Sequence, residues 1–491
     1  MPGESELIVA KPFGPSIKAP DPARGYNGWY TSEAGITETL FTLDYEMNLK
    51  PLLAESFTHT APDTWEITLK KGIRFHDMTS VTATAVKWSF DRIIVEKSDM
   101  FNKRLQKLLD IKSITYRGDD TLIFETGEPN AAFLYYLTSP GTGIVGGGSG
   151  KDIIIGTGPF KLANVIPNEE MVVSRFDGYW GERSKLDRVH LKIIQNPVTR
   201  MLAFEAGQVD IALGFPENDV YRLRGRKSIN IIRNPSTRLC FFFVRMADGP
   251  LSDSRIRQAI NYALNRREIV DTVLSGIGGE VGASIFPSIL PWSNRSLQPY
   301  PHDHEKALSL LAETGVRDSD GDGIVELNGQ PLVLNMWTYE GRASLKPTLE
   351  LVQDQLKRVG IATRLKITKT GSPINQAMKK SEVHLNLQMW NAVPQGDPDY
   401  FISNIFTTDA GSNFMGYSNA ELDSLSKKGK TTFETSARKK IYDRIQEIIY
   451  NDSPVIVLYH KTLVSAVHEY VSNYRIHPAE NHILTPQLSR K

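Results

Sequence analysis

The chain has 491 residues, of which 40% are hydrophobic and 23% charged, and its 57 basic and 56 acidic residues leave a net charge of +1. This length is too great for one hydrophobic core, so we expect two or three domains. The balanced charge, without a basic run, argues against a nucleic-acid partner. No stretch approaches the ~18 apolar residues of a transmembrane helix.

The first third of the chain predicts short strands and helices around an aromatic-rich loop at residues 25–30. Alternating apolar residues indicate strands, and apolar residues at helical spacing indicate helices. The expected elements are a strand over residues 7–13, a helix over 33–43, a hairpin joining 65–70 to 73–76, a helix over 81–90, and strands over 111–115 and 121–125.

A glycine-rich run follows at residues 140–150. It resembles a phosphate-binding loop in composition only, because no Lys-Ser/Thr pair and no strand–loop–helix spacing accompany it. We expect a flexible connector here.

The rest of the chain alternates strands with helices. This alternation predicts a mainly parallel sheet covered by helices, and the pair of strands expected within residues 229–244 predicts the first crossover between two lobes. The other expected elements are helices over residues 199–207, 253–274, 303–314 and 344–359, and strands over 209–213, 332–338, 363–367, 454–459 and 462–467.

Residues 387–401 combine a short strand with a turn rich in Pro, Gly and Asp. Trp390 stands where the strand ends, a position at which α/β folds often place ligand contacts. Burial of Trp390 as a packing residue is equally consistent with this pattern.

Nothing in the sequence indicates an enzyme. Cys240, the single cysteine, lies in the apolar run 239–244, which is typical of a buried structural thiol. Nucleophile-elbow, P-loop and zinc-hydrolase motifs are all absent from the sequence.

Five spaced motifs carry a family resemblance. They are Lys-Lys-Gly-Ile-Arg-Phe-His-Asp at 70–77, Gly-Thr-Gly-Pro-Phe at 156–160, Arg-Phe-Asp-Gly-Tyr-Trp-Gly at 175–181, Thr-Arg-Met-Leu-Ala-Phe-Glu-Ala-Gly-Gln-Val-Asp at 199–210 and Ile-Arg-Gln-Ala-Ile-Asn-Tyr-Ala-Leu at 256–264. In this order they resemble the extracytoplasmic solute-binding proteins of the peptide/nickel ABC-transporter family, from about residue 5 to the C-terminus.

The resemblance implies an α/β, two-lobed periplasmic-binding-protein clamshell of the cluster C type, with an extra subdomain in lobe I. The implied boundaries are 1–44, 166–233 and 456–491 for lobe I, 45–165 for the extra subdomain and 234–455 for lobe II. Such a protein is expected to be a periplasmic monomer that closes on its solute and delivers it to an ABC permease in the inner membrane. A removed signal peptide is expected, and lipid anchoring stays open.

Two branches of the family differ in solute. Peptide binders resemble one another in holding the peptide's ammonium with an Asp of the loop that follows the lobe II strand. Here Pro394 or Gln395 takes that position, and Asp397 and Asp399 fall on the scaffold turn. The loop is more similar to that of nickel binders, although it is two residues longer and their pocket Arg has no counterpart. Nickel is the first hypothesis, and a di- or oligopeptide or an opine metallophore is the alternative.

In the nickel branch, the C-terminal stretch that here contains His482 re-enters the cleft. One imidazole cannot hold Ni²⁺ tightly, so the metal is expected to arrive as a chelate with L-histidine or a similar metallophore. Arg342 would grip the chelator's carboxylate, although a surface ion pair with Glu340 is an equally good interpretation. The other expected ligand contacts are Tyr26, Trp29, Tyr30, Trp390 and Asn391.

A second candidate metal site lies at Asp318, Asp320 and Asp322, which have the spacing of the first half of an EF-hand loop. Position 12 of that loop would be Gly329 instead of the usual Glu. We therefore expect either a weak structural Ca²⁺ site or an ordinary acidic turn.

Overall fold

The computed structural model describes residues 5–150, 153–223, 225–340 and 342–491. Its strands are β1 Glu6–Lys11, β2 Phe41–Leu43, β3 Leu49–Pro51, β4 Ala54–Ala61, β5 Thr64–Leu69, β6 Ile111–Arg117, β7 Thr121–Thr126, β8 Phe160–Ile166, β9 Glu170–Arg175, β10 Arg188–Ile193, β11 Ile211–Leu213, β12 Ile229–Val244, β13 Gly279–Val281, β14 Glu326–Leu327, β15 Gln330–Pro331, β16 Val333–Tyr339, β17 Ala362–Thr368, β18 Leu385–Asn391, β19 Val455–His468, β20 Val471–Ser472 and β21 Ser489–Arg490.

Helices cover both ends of the large sheet. They are α1 Asn27–Glu33, α2 Ala83–Ile94, α3 Lys103–Leu109, α4 Phe133–Tyr136, α5 Pro197–Glu205, α6 Asp219–Leu223, α7 Ser254–Ala263, α8 Arg266–Val273, α9 His304–Glu313, α10 Leu345–Lys357, α11 Ser372–Lys379, α12 Asp399–Ile405, α13 Ala420–Thr431 and α14 Thr435–Asp452. None of these helices is long and apolar enough to span a bilayer.

One sheet runs through the whole molecule in the order β17-β16-β18-β12-β19-β11-β1-β10-β9-β8, with β13 added beside β19. The β11 to β8 end defines the first lobe, and the β17 to β18 end defines the second. Strands β12 and β19 pair along most of their lengths and pass from one lobe to the other, with a register shift between Pro235 and Leu239. This pair forms the hinge. The two strands expected within residues 229–244 were wrong, because these residues form the single strand β12, whose partner across the hinge is β19. The strands expected over residues 454–459 and 462–467 are likewise one strand, β19.

The prediction of a mainly parallel sheet was wrong. Four of the described pairings in the large sheet are parallel, at β1–β10, β1–β11, β16–β17 and β16–β18. Six are antiparallel. Four of these six involve the hinge strands β12 and β19, which run in opposite directions. The other two lie at the far end of the first lobe, where β8, β9 and β10 follow one another along the chain and pair antiparallel.

The hinge strand β12 is buried on both faces in the second lobe. Its successive side chains alternate between two hydrophobic clusters, as the period of two in a strand requires. Cys240 and Phe242 join one cluster, and Phe241 and Phe243 join the other. Burial raises the pKa of the Cys240 thiol to about 12, so the structure confirms a buried cysteine.

A separate sheet in the order β4-β5-β7-β6 packs with α2 and α3 around its own core. The expected hairpin is therefore wrong in its partner, because β5 pairs with β4 and β7 and not with residues 73–76. The segment that follows β5 makes only an isolated bridge, between Arg74 and Ser80.

Two further expectations were wrong. The helix expected over residues 33–43 lies earlier, at α1, and the chain turns at Gly35, whose φ of +64° suits glycine. The glycine-rich run is not an open connector over residues 140–146, which are buried. Ile144 N donates to Glu38 O at 2.8 Å and Gly146 N donates to Ile155 O at 2.8 Å.

Candidate functional site

The C-terminal tail, residues 476–484, lies across the hinge and brings polar groups to the floor of the cleft between the lobes. Asn234 Nδ2 donates to Ile476 O at 2.8 Å, and Thr237 N donates to Pro478 O at 3.2 Å. Farther along, Leu484 N donates to Glu33 O at 2.9 Å. The tail therefore connects the hinge with the end of α1.

Two largely buried ion pairs stand on this floor, Lys11 with Glu33 and Arg238 with Glu480. Burial raises the pKa of Glu33. Burial also acts to raise the pKa of Glu480, but the nearby guanidinium groups outweigh it and hold that pKa below its ordinary value. Both carboxylates already have cationic partners of their own.

Arg342 adds a further positive charge. It lies near Arg238, whose charge is the largest cause of its lowered pKa, and its guanidinium is 5.8 Å from the centroid of Phe13 in the first lobe. Among the described residues no ion pair joins it to Glu340, and the side chain it hydrogen-bonds to is Tyr339. Three cations therefore face two carboxylates, and the site carries an excess of one positive charge.

His482 is held in the neutral form. Its Nε2 lies 3.3 Å from Thr42 Oγ1, and burial together with His477 lowers its pKa to about 3. No described residue hydrogen-bonds to its Nδ1. His477, whose ring is 5.1 Å away, uses both nitrogens on the backbone, at Leu43 O and Ala479 N. Of these two histidines, only His482 therefore has a ring nitrogen left for a ligand.

Trp390 belongs to an aromatic cluster of the second lobe. Its ring meets Phe243 edge-on at 5.2 Å, and its Nε1 donates to Gln388 Oε1 at 3.1 Å. The indole is half-buried, so it packs on one side and leaves part of its surface open. The packing interpretation and the ligand interpretation are both consistent with this placement. Asn391, the next residue, has a buried Oδ1 without a partner among the described residues.

The first-lobe aromatics lie on α1 and its cap. Tyr30 is half-buried, with Lys11 Nζ 5.0 Å from its ring centroid, and burial raises the pKa of its phenol to about 12. Trp29 is also half-buried, while Tyr26 is 68% exposed and contacts Trp29 edge-on at 6.1 Å. Tyr30 is thus the aromatic that the structure brings to the charged floor of the cleft.

The two aspartates of the scaffold turn are occupied elsewhere. Arg438 Nη2 donates to Asp397 Oδ1 at 2.9 Å, and its Nη1 donates to Oδ2 of the same carboxylate. Tyr136 of the extra subdomain donates to Asp399 Oδ2 at 2.5 Å. Neither carboxylate is left for the amine of a ligand.

Sequence reasoning missed Lys11, Glu33, Arg238 and Glu480. The partners Arg238 and Glu480 are 242 positions apart, and nothing local marks either of them. A basic residue within a hinge strand and an acidic residue in the C-terminal tail were the available signals. They become meaningful only when the strand pairing is known.

The acidic loop gathers four carboxylates, because Glu326 joins Asp318, Asp320 and Asp322 with oxygens within 4.8 Å of one another. These oxygens also accept backbone N–H groups of the same loop, for example Gly321 N on Asp318 at 2.7 Å. An acidic turn therefore explains the geometry, and a weak Ca²⁺ site stays a prediction.

The sheet continues through two lobes, two strands form a hinge between them, and charged residues line the floor between the lobes. These features define a two-lobed solute-binding protein. The sequence profile of bacterial extracellular solute-binding proteins, family 5 Middle, matches residues 48–413. The chain therefore belongs to this family, as its motifs predicted.

Its relatives bind different solutes. The glutathione-binding protein GsiB of Salmonella choleraesuis is 27% identical over 456 residues, covering 89% of this chain and 86% of that protein. The nickel ABC transporter structure from Bacillus halodurans is 26% identical with a TM-score of 0.83, covering 99% and 100%. NikA from Staphylococcus aureus in complex with Ni(L-His)2 shares the fold at a TM-score of 0.82, with 21% identity and the same coverage.

Proposed function

We propose that this protein is the extracytoplasmic solute-binding component of an ABC importer that captures nickel as a chelate with free histidine or a similar metallophore. The chelate is enclosed between the lobes and passed to the permease. The observation that carries this proposal is the neutral imidazole of His482, which has a free Nδ1 beside a site with an excess positive charge.

Because the protein offers a single imidazole, a metal chelate is a better candidate ligand than a bare metal ion. Ni²⁺ takes four to six donors, and imidazole nitrogen suits it. His482 supplies one such donor, and its low pKa keeps the nitrogen unprotonated throughout the physiological range. The remaining donors come from the chelator, which leaves the protein to recognise the chelator's outer groups.

The excess positive charge of the site favours a chelator that carries a carboxylate. Arg342 forms no ion pair within 4 Å among the described residues, and the carboxylate that attracts it, Glu480, is already paired with Arg238. A free guanidinium binds a carboxylate through two parallel hydrogen bonds. Tyr30 and Trp390 would enclose the chelate from the two lobes. Trp29, Asn391 and the more exposed Tyr26 stay predicted contacts at the edge of the site.

A carboxylate-rich peptide is the second candidate. The observation that favours it is the same excess of positive charge, which would suit glutathione with its two carboxylates and is in keeping with the glutathione-binding relatives. Its free ammonium, however, would need a carboxylate, and Glu33 and Glu480 already have cationic partners.

The test is a calorimetric titration of the chelator-stripped protein with Ni²⁺ alone, L-histidine alone, both together, and glutathione alone. We expect submicromolar binding only when Ni²⁺ and L-histidine are both present. Replacing His482→Ala should weaken that binding at least about tenfold, since it removes one metal donor.

The matched control is His304→Ala, which removes an exposed histidine at the start of α9 and should leave the affinity unchanged. Tight binding of glutathione without metal would overturn the nickel proposal in favour of the peptide candidate. Chelate binding that is insensitive to His482→Ala would exclude this histidine as the metal donor.

A further inference from the structure

The short strand β2 contacts both histidines of the C-terminal tail. Thr42 Oγ1 lies 3.3 Å from Nε2 of His482, and Leu43 O lies 3.1 Å from Nε2 of His477. Neighbouring polar atoms of one strand therefore meet the Nε2 side of both rings, and the Nδ1 side of His482 has no hydrogen-bond partner among the described residues.

The backbone fixes the ring proton of His477. Ala479 N donates to its Nδ1 at 3.2 Å, so this nitrogen accepts and carries no proton. The proton of the neutral ring is therefore on Nε2, which donates it to Leu43 O. A carbonyl oxygen has two lone pairs, so Leu43 O can accept a second hydrogen bond.

Thr42 is placed to donate that second hydrogen bond. Its hydroxyl oxygen lies 3.5 Å from Leu43 O, which can only accept, so Thr42 is the donor in this contact. The Thr42 oxygen is then free to accept an N–H group from Nε2 of His482. With the His482 proton on Nε2 both hydrogen bonds form, whereas a proton on Nδ1 would make Thr42 give up one of the two.

The ring of His482 is also held in one orientation. It meets the ring of His477 edge-on, with centroids 5.1 Å apart and planes at 84°. His477 packs in turn against Tyr45 at 5.3 Å, and the Arg475 guanidinium lies 3.8 Å from the Tyr45 centroid. Because His477 is fixed by its hydrogen bonds and by this packing, it limits the rotation of the neighbouring ring.

We propose that Thr42 is a positioning residue that keeps the ring proton of His482 on Nε2, so that the lone pair of Nδ1 is the one presented to the metal. This inference rests on the proposed function and deepens it, because it assigns the donor atom and the group that orients it. A metal-ligating histidine commonly gives its other N–H to such a partner, and loss of the partner weakens metal affinity about 10- to 100-fold.

The first experiment locates the ring proton in the absence of any ligand. Protein labelled with ¹⁵N-histidine is measured by NMR, and the signals of His482 are assigned by comparison with His482→Ala. We expect one tautomer in the wild type, with the proton on Nε2, and a mixture of both tautomers in Thr42→Val. A wild-type ring protonated on Nδ1, or a Thr42→Val ring unchanged from wild type, would overturn the inference.

The second experiment separates the hydroxyl group from the shape of the side chain. Thr42→Val keeps the branched shape and removes the hydroxyl, so the calorimetric affinity for the nickel–histidine chelate should fall about tenfold. Thr42→Ser keeps the hydroxyl and should restore most of that affinity. Wild-type affinity in Thr42→Val, or a Thr42→Ser variant as weak as Thr42→Val, would contradict the proposed role.

Thr58→Val is the matched control, because it makes the same change at an exposed position of β4. It should bind the chelate as the wild type does. An equal loss of affinity in this control would show that the effect is not specific to Thr42, and the inference would fail.

Failure of the inference is distinguishable from failure of the proposed function. Wild-type protein that binds no chelate contradicts the nickel proposal itself, and the NMR spectrum still decides where the ring proton lies. Chelate binding that depends on His482 but not on the hydroxyl of Thr42 contradicts only the inference.

Discussion

His76 shows how a single buried side chain makes stability depend on pH. Gly156 N donates to its Nδ1 at 3.2 Å, and its Nε2 lies 3.0 Å from Gly158 O. One nitrogen must therefore accept and the other must donate, which only the neutral ring can do. Burial lowers its pKa to about 4.

We predict that His76 makes the protein less stable as the pH falls from about 6.5 to about 4. The unfolded chain binds a proton on this ring below its ordinary pKa and the folded chain does not, so the stabilisation is complete above pH 6.5. The expected loss is up to about 1.4 kcal/mol per pH unit.

The measurement is urea unfolding at several pH values for wild type and His76→Gln. The difference between their slopes isolates this histidine, because Glu38, whose pKa burial raises to about 7 and whose contribution has the opposite sign, is present in both. Equal slopes for the two proteins would contradict the prediction.

The loop that follows β18 in the second lobe approaches β2 through the backbone of Gly396 and not through a side chain. Gly396 has φ +82°, and a Cβ there would lie 2.7 Å from Leu43 Cδ2 and 3.3 Å from Tyr135 Cδ1. Glycine at this position therefore permits both the positive φ of the turn and the close approach of the loop to Leu43.

We predict that Gly396→Ala weakens ligand binding about tenfold or more, because the methyl group keeps the loop from reaching Leu43. It should also lower the free energy of unfolding by about 1 kcal/mol through the positive φ alone. Isothermal titration and chemical denaturation measure the two effects separately.

Gly315→Ala is the matched control. Its φ is +79°, and a Cβ there would meet nothing within 4 Å. We expect a similar loss of stability with unchanged affinity. If Gly396→Ala also left the affinity unchanged, the close approach to Leu43 would not contribute to binding.

At the scale of the whole molecule, the extra subdomain and the second lobe contact each other directly. Tyr136 donates to Asp399 at 2.5 Å, and both side chains are buried. The His59 ring lies 4.2 Å from that of Phe433. Because they join the first lobe's extra subdomain to the second lobe, we expect them to stabilise a closed arrangement of the two lobes.

We predict that Tyr136→Phe shifts the protein towards open conformations. The change leaves the buried Asp399 without its shortest hydrogen bond, which costs about 1–3 kcal/mol in the closed state only. Ligand dissociation, followed by stopped-flow fluorescence, should be at least about fivefold faster, and small-angle scattering should show a larger radius for the unliganded protein.

Tyr116→Phe is the control, because Tyr116 lies on β6 and is 48% exposed. It should behave as wild type in both measurements. A Tyr136→Phe variant with wild-type dissociation and dimensions would show that this hydrogen bond does not contribute to closure.

The sequence by itself determined the family, the two-lobed α/β fold and most of the helices and strands. These features depend on motifs and on periodicities of two and 3.6 residues, which are local and can be read from neighbouring positions. Helices α9 and α10 and strands β16 and β17 were confirmed near their predicted places for this reason, whereas the single helix expected over residues 253–274 is divided into α7 and α8. The helix expected over residues 33–43 was wrong because one glycine turn outweighed an apolar pattern.

Only the tertiary structure decided how the charges of the cleft are arranged. Lys11 meets Glu33, Arg238 meets Glu480, and Arg342 lies next to Arg238 without a carboxylate of its own. These partners come from distant segments, so packing sets their distances and no local pattern reports them. Nor does any local pattern mark the buried amide of Gln395, which has no hydrogen-bond partner among the described residues.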